Sequence, residues 1–150
     1  MKVTRARFTL SPFSSDQMAG IGKALADSMR SRIASGIDAN DQRAKPLKPG
    51  RMRKDGTYKR GYPESKTARG LQPLRDWTWT GRTLRSLQVL SVNQNRGIIG
   101  FVDAMGDQKA HYNNQIDRMF GISPKDAVAL NQAVAAVFRT GNVIQFRKVA

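Results

Sequence analysis

The sequence contains no cysteine, and this absence excludes several kinds of chemistry at once. Disulfides, thiolate metal sites and cysteine nucleophiles all need a residue type that the 150-residue chain lacks. Long hydrophobic runs are also missing, because no window approaches the ~20 apolar residues of a membrane span. Residues 1–7 lead into no apolar run of signal-peptide length. We therefore expect a protein that is made and used in a cytoplasm and does not contact a membrane.

Side chains that perform acid–base or metal chemistry are scarce. His111 is the only histidine, and Glu64 is the only glutamate among the 11 acidic residues. One histidine cannot supply the paired ligands of a catalytic zinc site, and scattered aspartates are typical of turns, where they bond nearby backbone amides. The glycines do not form a phosphate-binding loop between a strand and a helix. The sequence thus predicts no catalytic residue, no metal site and no cofactor, and we expect that the protein is not an enzyme.

Basic residues, in contrast, are abundant and unevenly distributed. The 26 lysines and arginines give the chain a formal net charge of +15. Between residues 43 and 85 there are 13 basic and 3 acidic residues, so this segment alone carries +10. A field of this sign attracts polyanions, either nucleic acid or the acidic surface of another protein.

Apolar periodicity predicts a strand and then a long helix at the start of the chain. Residues 3–10 alternate between polar and apolar side chains, as a half-buried strand does. Ser14 stands three residues before Gln17, which is the spacing of a helix capping box, and Gly36 is the expected stop. The apolar residues between them, at intervals of three and four, are Met18, Ile21, Leu25, Met29 and Ile33.

The middle of the chain is predicted to form a short helix followed by a β-hairpin. The helix would span 82–87 and be capped by Thr80. The strands of the hairpin would be 88–92 and 97–102, joined by the turn-rich residues 93–96.

A second main helix is predicted after residues 104–120, a polar stretch without a clear period that has room for one or two helical turns. Residues 123–126 offer a cap residue, a proline at the first helical position and an acid at the third. The helix should run to Arg139, Gly141 should stop it, and the β-rich residues 142–150 could add a final strand. Its apolar face consists of Ala127, Leu130, Val134, Val137 and Phe138.

The predicted fold is α+β, a single domain over residues 1–150 in which a small, mostly antiparallel sheet packs against two main helices. A long basic loop at about 37–75 interrupts it, because prolines and glycines break every period there. Compact domains seldom carry such a loop unless it is functional or disordered, so this loop is the main candidate for the working part. After it, Trp77 and Trp79 alternate with threonines, which places both rings on one side of an extended segment, either in the core or at an interface.

The basic loop has two functional interpretations that need the same residues. As a nucleic-acid surface over residues 43–85, it would bind phosphates, with tyrosines or tryptophans available for stacking. As an assembly arm, it would become ordered against a neighbouring subunit that presents an acidic surface. A solvated run of charge without a role is the third alternative. The residues predicted to contact a partner are Arg43, Lys45, Lys48, Arg51, Arg53, Lys54, Lys59, Arg60, Lys66, Arg69, Trp77 and Trp79.

Several short motifs occur together in an order that resembles one protein family. In chain order they are Arg32-Ile33, Lys45-Pro46-Leu47, Thr80-Gly81-Arg82-Thr83-Leu84-Arg85-Ser86 and Phe120-Gly121-Ile122-Ser123-Pro124-Lys125-Asp126. Over residues 18–138 the arrangement resembles the phage virion morphogenesis family of tail completion proteins. It more loosely resembles the minor tail or neck components of long-tailed phages.

This resemblance implies a structural virion protein without catalytic residues, located at the head–tail junction or the tail end after assembly in the host cytoplasm. It implies a homo-oligomeric ring that joins other phage structural proteins, such as a portal or adaptor protein or the tail tube. Contact between the basic loop and packaged DNA is left open. The alternative function, inferred from the charges alone, is a nucleic-acid-binding module.

Overall fold

The α+β architecture predicted from the sequence is present. A computed structural model describes residues 5–10, 13–78 and 80–141 of the chain. In chain order the elements are β1 (Arg5–Thr9), α1 (Ser15–Ala34), β2 (Arg51–Met52), β3 (Tyr58–Lys59), α2 (Tyr62–Thr67), α3 (Arg82–Ser86), β4 (Leu87–Val92), β5 (Arg96–Phe101), α4 (Ala104–Ile116) and α5 (Pro124–Gly141). Strands β1, β5 and β4 form one antiparallel sheet in that order, while β2 and β3 form a separate two-stranded ribbon.

Alternation along β1 places its apolar side chains in the core, as the sequence predicts. Ala6 and Phe8 are buried, whereas the residues between and beside them are exposed. Phe8 lies opposite Gly97 of β5, and a Cβ atom at Gly97 would overlap the Phe8 ring. The close approach of this ring to β5 therefore requires glycine.

The predicted hairpin is confirmed as β4 and β5, and its turn is held by one asparagine. The side-chain oxygen of Asn93 accepts hydrogen bonds from the amides of Asn95 at 3.2 Å and Arg96 at 2.8 Å. The amide of Asn93 donates in turn to the carbonyl of Arg96 at 2.9 Å. The turn is thus stabilised both by hydrogen bonds to the Asn93 side chain and by a backbone hydrogen bond between its two ends.

Helix α1 packs against β4 and β5 on the sheet and also against α5. Its predicted capping box is confirmed, since the Ser14 hydroxyl accepts from the Gln17 amide at 3.2 Å and the Gln17 side chain accepts from the Ser14 amide at 2.9 Å. Gly36, just beyond the helix, has a φ of +68°, the left-handed conformation that ends helices. Each predicted core residue is at most 1% exposed: Met18, Ile21, Leu25, Met29 and Ile33.

Helix α5 begins where the sequence predicts and is capped reciprocally. The Ser123 hydroxyl accepts from the Asp126 amide at 3.1 Å, and the Asp126 carboxylate accepts from the Ser123 amide at 3.0 Å. The helix packs chiefly against α1, and α1 in turn packs against the sheet. Its apolar face is less buried than predicted, because Phe138 is 52% exposed although its ring centroid lies 5.3 Å from that of Phe13.

A buried ion pair joins the two main helices, and the sequence predicted only a capping role for its acid. Arg32 Nε donates to Asp126 Oδ2 at 2.8 Å, and the two side chains are 5% and 0% exposed. The Ser28 hydroxyl donates to the same carboxylate at 2.7 Å. The remaining guanidinium nitrogens donate to the carbonyls of Ile37, Met119 and Gly121. Arg32 and Asp126 each belong to one of the short motifs on which the family resemblance rests, so two of these motifs contact each other in the protein interior.

Two helices differ from the prediction. Residues 104–120, for which at most two turns were expected, contain the 13-residue helix α4. The buried residues of α4 are few and mostly small, so no apolar period marks it in the sequence. The short helix α3 ends at Ser86, and its N-cap is Gly81 in a left-handed conformation rather than Thr80, although the Thr80 hydroxyl accepts from the Arg82 amide at 3.3 Å.

The predicted final strand at 142–150 and residues 3 and 4 of the first strand lie outside the described residues. Within the described ranges, no helix combines the length and the apolar character that crossing a membrane requires.

Candidate functional site

The predicted basic loop at 37–75 has secondary structure of its own, and its description as one long loop is wrong. Strands β2 and β3 pair with each other, and α2 follows. The strands have 2 residues each and the helix has 6, which is too short for a hydrophobic period to appear in the sequence.

A tight turn at Asp55-Gly56 closes the ribbon of β2 and β3. Gly56 has a φ of +79°, and the Arg53 amide donates to the Thr57 carbonyl at 2.7 Å. The Asp55 carboxylate accepts from the Thr57 hydroxyl at 2.6 Å and from the Thr57 amide at 2.9 Å, and these bonds lower the pKa of Asp55. An Asp-Gly pair between extended segments is a strong hairpin signal, and it is the feature of the sequence that marks this ribbon.

Residues 51–60, which we name the basic arm, are exposed without exception. In the described part of the chain, β2 and β3 pair only with each other. The basic arm has five basic residues and one acidic residue, a net charge of +4. Among the described residues, the structure therefore presents an exposed, positively charged ribbon to another molecule.

The lone glutamate holds the base of the basic arm. Glu64 Oε1 accepts from the Gly50 amide and from the Tyr58 hydroxyl, both at 2.9 Å, and Oε2 accepts from the Gly61 amide. One carboxylate thereby ties both ends of the ribbon to the first turn of α2. The Gly50 amide and the Tyr58 hydroxyl are the main groups that lower the pKa of Glu64, and the same carboxylate raises the pKa of Tyr58.

These contacts predict that the basic arm loosens in acid. The pKa of Glu64 is lower in the folded state than its ordinary value of 4.5, so the stabilisation is complete above that value and disappears as the pH falls through the folded-state pKa. We expect the NMR amide resonances of Gly50 and Gly61 to move together towards random-coil positions in this range. In Glu64→Gln these movements should disappear. Identical titrations in both proteins would show that another carboxylate controls the arm.

Lys66 belongs to the predicted contact set, but that prediction is wrong because the side chain is only 1% exposed. Its ammonium group donates to the Asp76 carboxylate, to the Leu74 carbonyl at 2.7 Å and to the Thr78 hydroxyl at 3.2 Å. A buried charge needs such partners, because burial without them is costly. Lys66 therefore holds α2 to the segment that follows it and is not available to another molecule.

Trp77 packs against the core and is not part of the basic arm. Its φ of +57° bends the backbone, so the extended segment predicted to align Trp77 with Trp79 is not formed at this position. The Trp77 ring is half-buried, with its centroid 5.9 Å from that of Phe101. Packing against the core, one of the two alternatives from the sequence, is what the structure shows for Trp77. Trp79 lies outside the described residues.

The other predicted contact residues are exposed, although they do not all lie on the ribbon. They are Arg43, Lys45, Lys48, Arg51, Arg53, Lys54, Lys59, Arg60 and Arg69. Lys45 is tied to the body, since its amide donates to Asp117 at 2.5 Å and its ammonium donates to the Ile116 carbonyl at 3.3 Å. The basic arm brings five of the set together on one short element.

A cleft of about 150 Å³ separates α2 from α3 and α4. The Trp77 indole N–H and Arg75 Nε are buried and have no hydrogen-bond partner among the described residues, although Arg75 Nε lies 3.9 Å from a carboxylate oxygen of Asp117. The one carboxylate among the described lining residues, Asp76, is bound to Lys66. The described lining of the cleft thus includes two residues, Arg75 and Trp77, that each have a buried donor group without a hydrogen-bond partner in the described part of the chain.

Groups for metal binding do not cluster in the described residues, where no three His, Asp or Glu side chains lie close enough to hold an ion. His111 lies on α4 with its Nε2 atom 3.3 Å from the side-chain nitrogen of Gln115. The geometry therefore directs attention to the basic arm as a binding element.

Comparisons of this chain with models of protein families, with curated proteins and with solved structures find no match. Its function is accordingly inferred from its own residues and geometry.

Proposed function

We propose that this protein is a structural component of a phage particle at the head–tail junction or the tail end, where it forms a ring and joins neighbouring virion proteins. The observation that carries the proposal is the basic arm, an exposed ribbon that pairs only with itself within the described residues. An isolated two-stranded ribbon is marginally stable in water, so a second molecule is the natural source of further stability. The order of the sequence motifs supports the phage family.

A second surface is available for contacts between copies. Met105, Tyr112 and Ile116 are 49%, 65% and 41% exposed, and spacings of seven and four place them on one face of α4. Neighbouring apolar side chains that remain exposed are typical of a surface that another protein covers. In the proposed ring, this face of α4 meets the next copy and the basic arm extends towards a different virion protein.

The proposed role is binding and positioning, without a catalytic step. Glu64, the only glutamate, is engaged in holding the basic arm. His111, the only histidine, lies on the surface of α4 without an acidic partner in the structure described.

A nucleic-acid-binding module is the alternative proposal, and one observation favours it. Tyr58 is 57% exposed and lies between the basic residues of the arm. Basic side chains that contact phosphates, together with an aromatic ring that contacts bases, are the usual elements of sequence-tolerant binding.

Charge reversal on the basic arm tests the proposed function. Changing Arg51, Arg53 and Lys54 together to glutamate should block incorporation into phage particles, because the arm would repel the surface it is proposed to join. The subunit should stay folded, since these side chains are exposed. Incorporation is measured as copies per purified particle, and folding as the thermal midpoint.

A matched control reverses three exposed charges elsewhere, at Arg5, Arg7 and Lys125. The control should be incorporated normally. Normal incorporation of the arm variant, combined with a lower affinity and a smaller salt slope for DNA, would replace the proposed function with the alternative.

A further inference from the structure

Ten of the 11 acidic residues of this chain are buried or bound within their own copy, so few could contact the basic arm of a second copy. All 11 acidic residues lie within the described residues, so each has a known environment. Five of them are buried, namely Asp38, Asp76, Asp107, Asp117 and Asp126. A buried carboxylate cannot contribute to an acidic surface that faces outward.

Most of the remaining acids are engaged locally. The ones held by a salt bridge or a hydrogen bond are Asp27, Asp41, Asp55, Glu64 and Asp103. Asp16, in the first turn of α1, is the one left without such a contact among the described residues. At a net charge of +15 per chain, a second copy therefore offers the basic arm few acidic groups, and the arm is repelled by the basic residues of that copy.

The basic arm also carries an apolar pair. Met52 and Tyr58 are directly opposite each other across the ribbon, so their side chains share a face, and they are 63% and 57% exposed. Arg51 and Lys59 are opposite each other at the next position, on the other face. Methionine, tyrosine and arginine are enriched where proteins meet proteins, and methionine adapts its shape to an apolar partner.

Two features of the arm disfavour nucleic acid. The Tyr58 hydroxyl is bound to Glu64 at 2.9 Å, which limits the freedom of the exposed ring to reorient and stack on successive bases. Asp55 lies in the turn at the end of the ribbon, where hydrogen bonds from Thr57 hold its carboxylate. Insertion of the ribbon into a groove by its tip would place this negative charge among phosphates.

We infer that the basic arm binds a different protein, one with acidic side chains surrounding an apolar contact for Met52 and Tyr58. The arm does not bind a second copy of this chain or nucleic acid. The charges attract and orient the partner, and the apolar pair makes the contact that excludes water. This inference rests on the proposed assembly role and names the class of partner for it.

Model polyanions test the inference with the full-length protein at physiological ionic strength. The probes are a random Glu/Tyr copolymer, polyglutamate and a short DNA duplex. Met52→Ser should weaken binding of the copolymer about fivefold, because part of the apolar contact is lost, and should leave binding of polyglutamate and the duplex unchanged. An unchanged affinity for the copolymer would overturn the inference, since charge alone would then account for binding.

The reversal of Arg51, Arg53 and Lys54 supplies the second readout. It should weaken binding of the copolymer strongly, whereas binding of the duplex should weaken no more than in the control with reversed Arg5, Arg7 and Lys125. Self-association, measured by sedimentation, should not change. Selective loss of duplex binding would identify a nucleic-acid surface, and loss of self-association would identify a contact between copies; either result contradicts the inference.

These outcomes are separable from failure of the proposed function. If copolymer binding depends on Met52 but the arm variant enters particles normally, the inferred class of protein partner is supported and the proposed role at the junction is contradicted. If the arm variant is not incorporated but Met52→Ser does not change copolymer binding, the proposed role is supported and the inferred apolar contact is contradicted.

Discussion

Replacing Asp126 with alanine should lower the free energy of unfolding by about 3–5 kcal/mol. The side chain is fully buried, and its carboxylate accepts from Arg32 Nε at 2.8 Å. Without it the buried guanidinium loses its counter-charge, and the Ser28 hydroxyl and the Ser123 amide lose their acceptor. The loss is measured by denaturant-induced unfolding followed by extrapolation to water.

Asp27→Ala is the matched control, because it also removes an aspartate that pairs with basic residues of α1. Asp27 is 46% exposed, and pairs of this kind at the surface contribute only about 0–1 kcal/mol. The loss of unfolding free energy for Asp126→Asn should lie between those for Asp126→Ala and Asp27→Ala, since the amide oxygen still accepts hydrogen bonds but carries no charge. Equal losses for Asp126→Ala and Asp27→Ala would mean that the buried pair does not form.

Leu25→Ala should cost about 2–5 kcal/mol, because Leu25 is completely buried in the core and the substitution leaves a cavity. The sequence gives Leu130 of α5 an equivalent core position and hence the same expected cost. The structure changes that expectation, since Leu130 is only partly buried. Leu130→Ala should therefore cost clearly less than Leu25→Ala.

The midpoint and the slope of denaturant unfolding check both substitutions. The slope should stay constant if each change acts on a cooperative two-state transition. A larger loss for Leu130→Ala than for Leu25→Ala would show that α5, not α1, forms the centre of the core.

Features that depend on residues a few positions apart were predictable. The caps at Ser14 and Ser123 each involve a partner three residues later, and both form as expected. The five apolar residues of α1 recur over four turns, so their burial could be inferred from spacing alone. In contrast, α4 buries few side chains and the strands of the basic arm have 2 residues each, so neither has a detectable period.

The spacing of residues in the sequence did not predict which basic side chains are exposed and which are buried in ion pairs. Lys59 and Lys66 lie in the same basic segment and were both predicted to contact a partner. In the structure Lys59 is exposed on the ribbon, whereas Lys66 is buried against Asp76. The pair of Arg32 and Asp126 joins residues 94 positions apart. Such pairs form only after the chain has folded.

The sequence by itself determined the α+β class, the limits of α1, the start of α5, the core face of α1 and the concentration of positive charge between residues 43 and 85. The end of α5 was not determined in this way, since the helix includes Gly141, which was predicted to stop it. Only the tertiary structure decided that part of this charge stands on an exposed ribbon held by Glu64, that Lys66 is withdrawn from it, and that most acids are buried or engaged. The physical reason is that helix caps and apolar periods are local. The burial and pairing of a charge depend on which groups the folded backbone brings within hydrogen-bond distance.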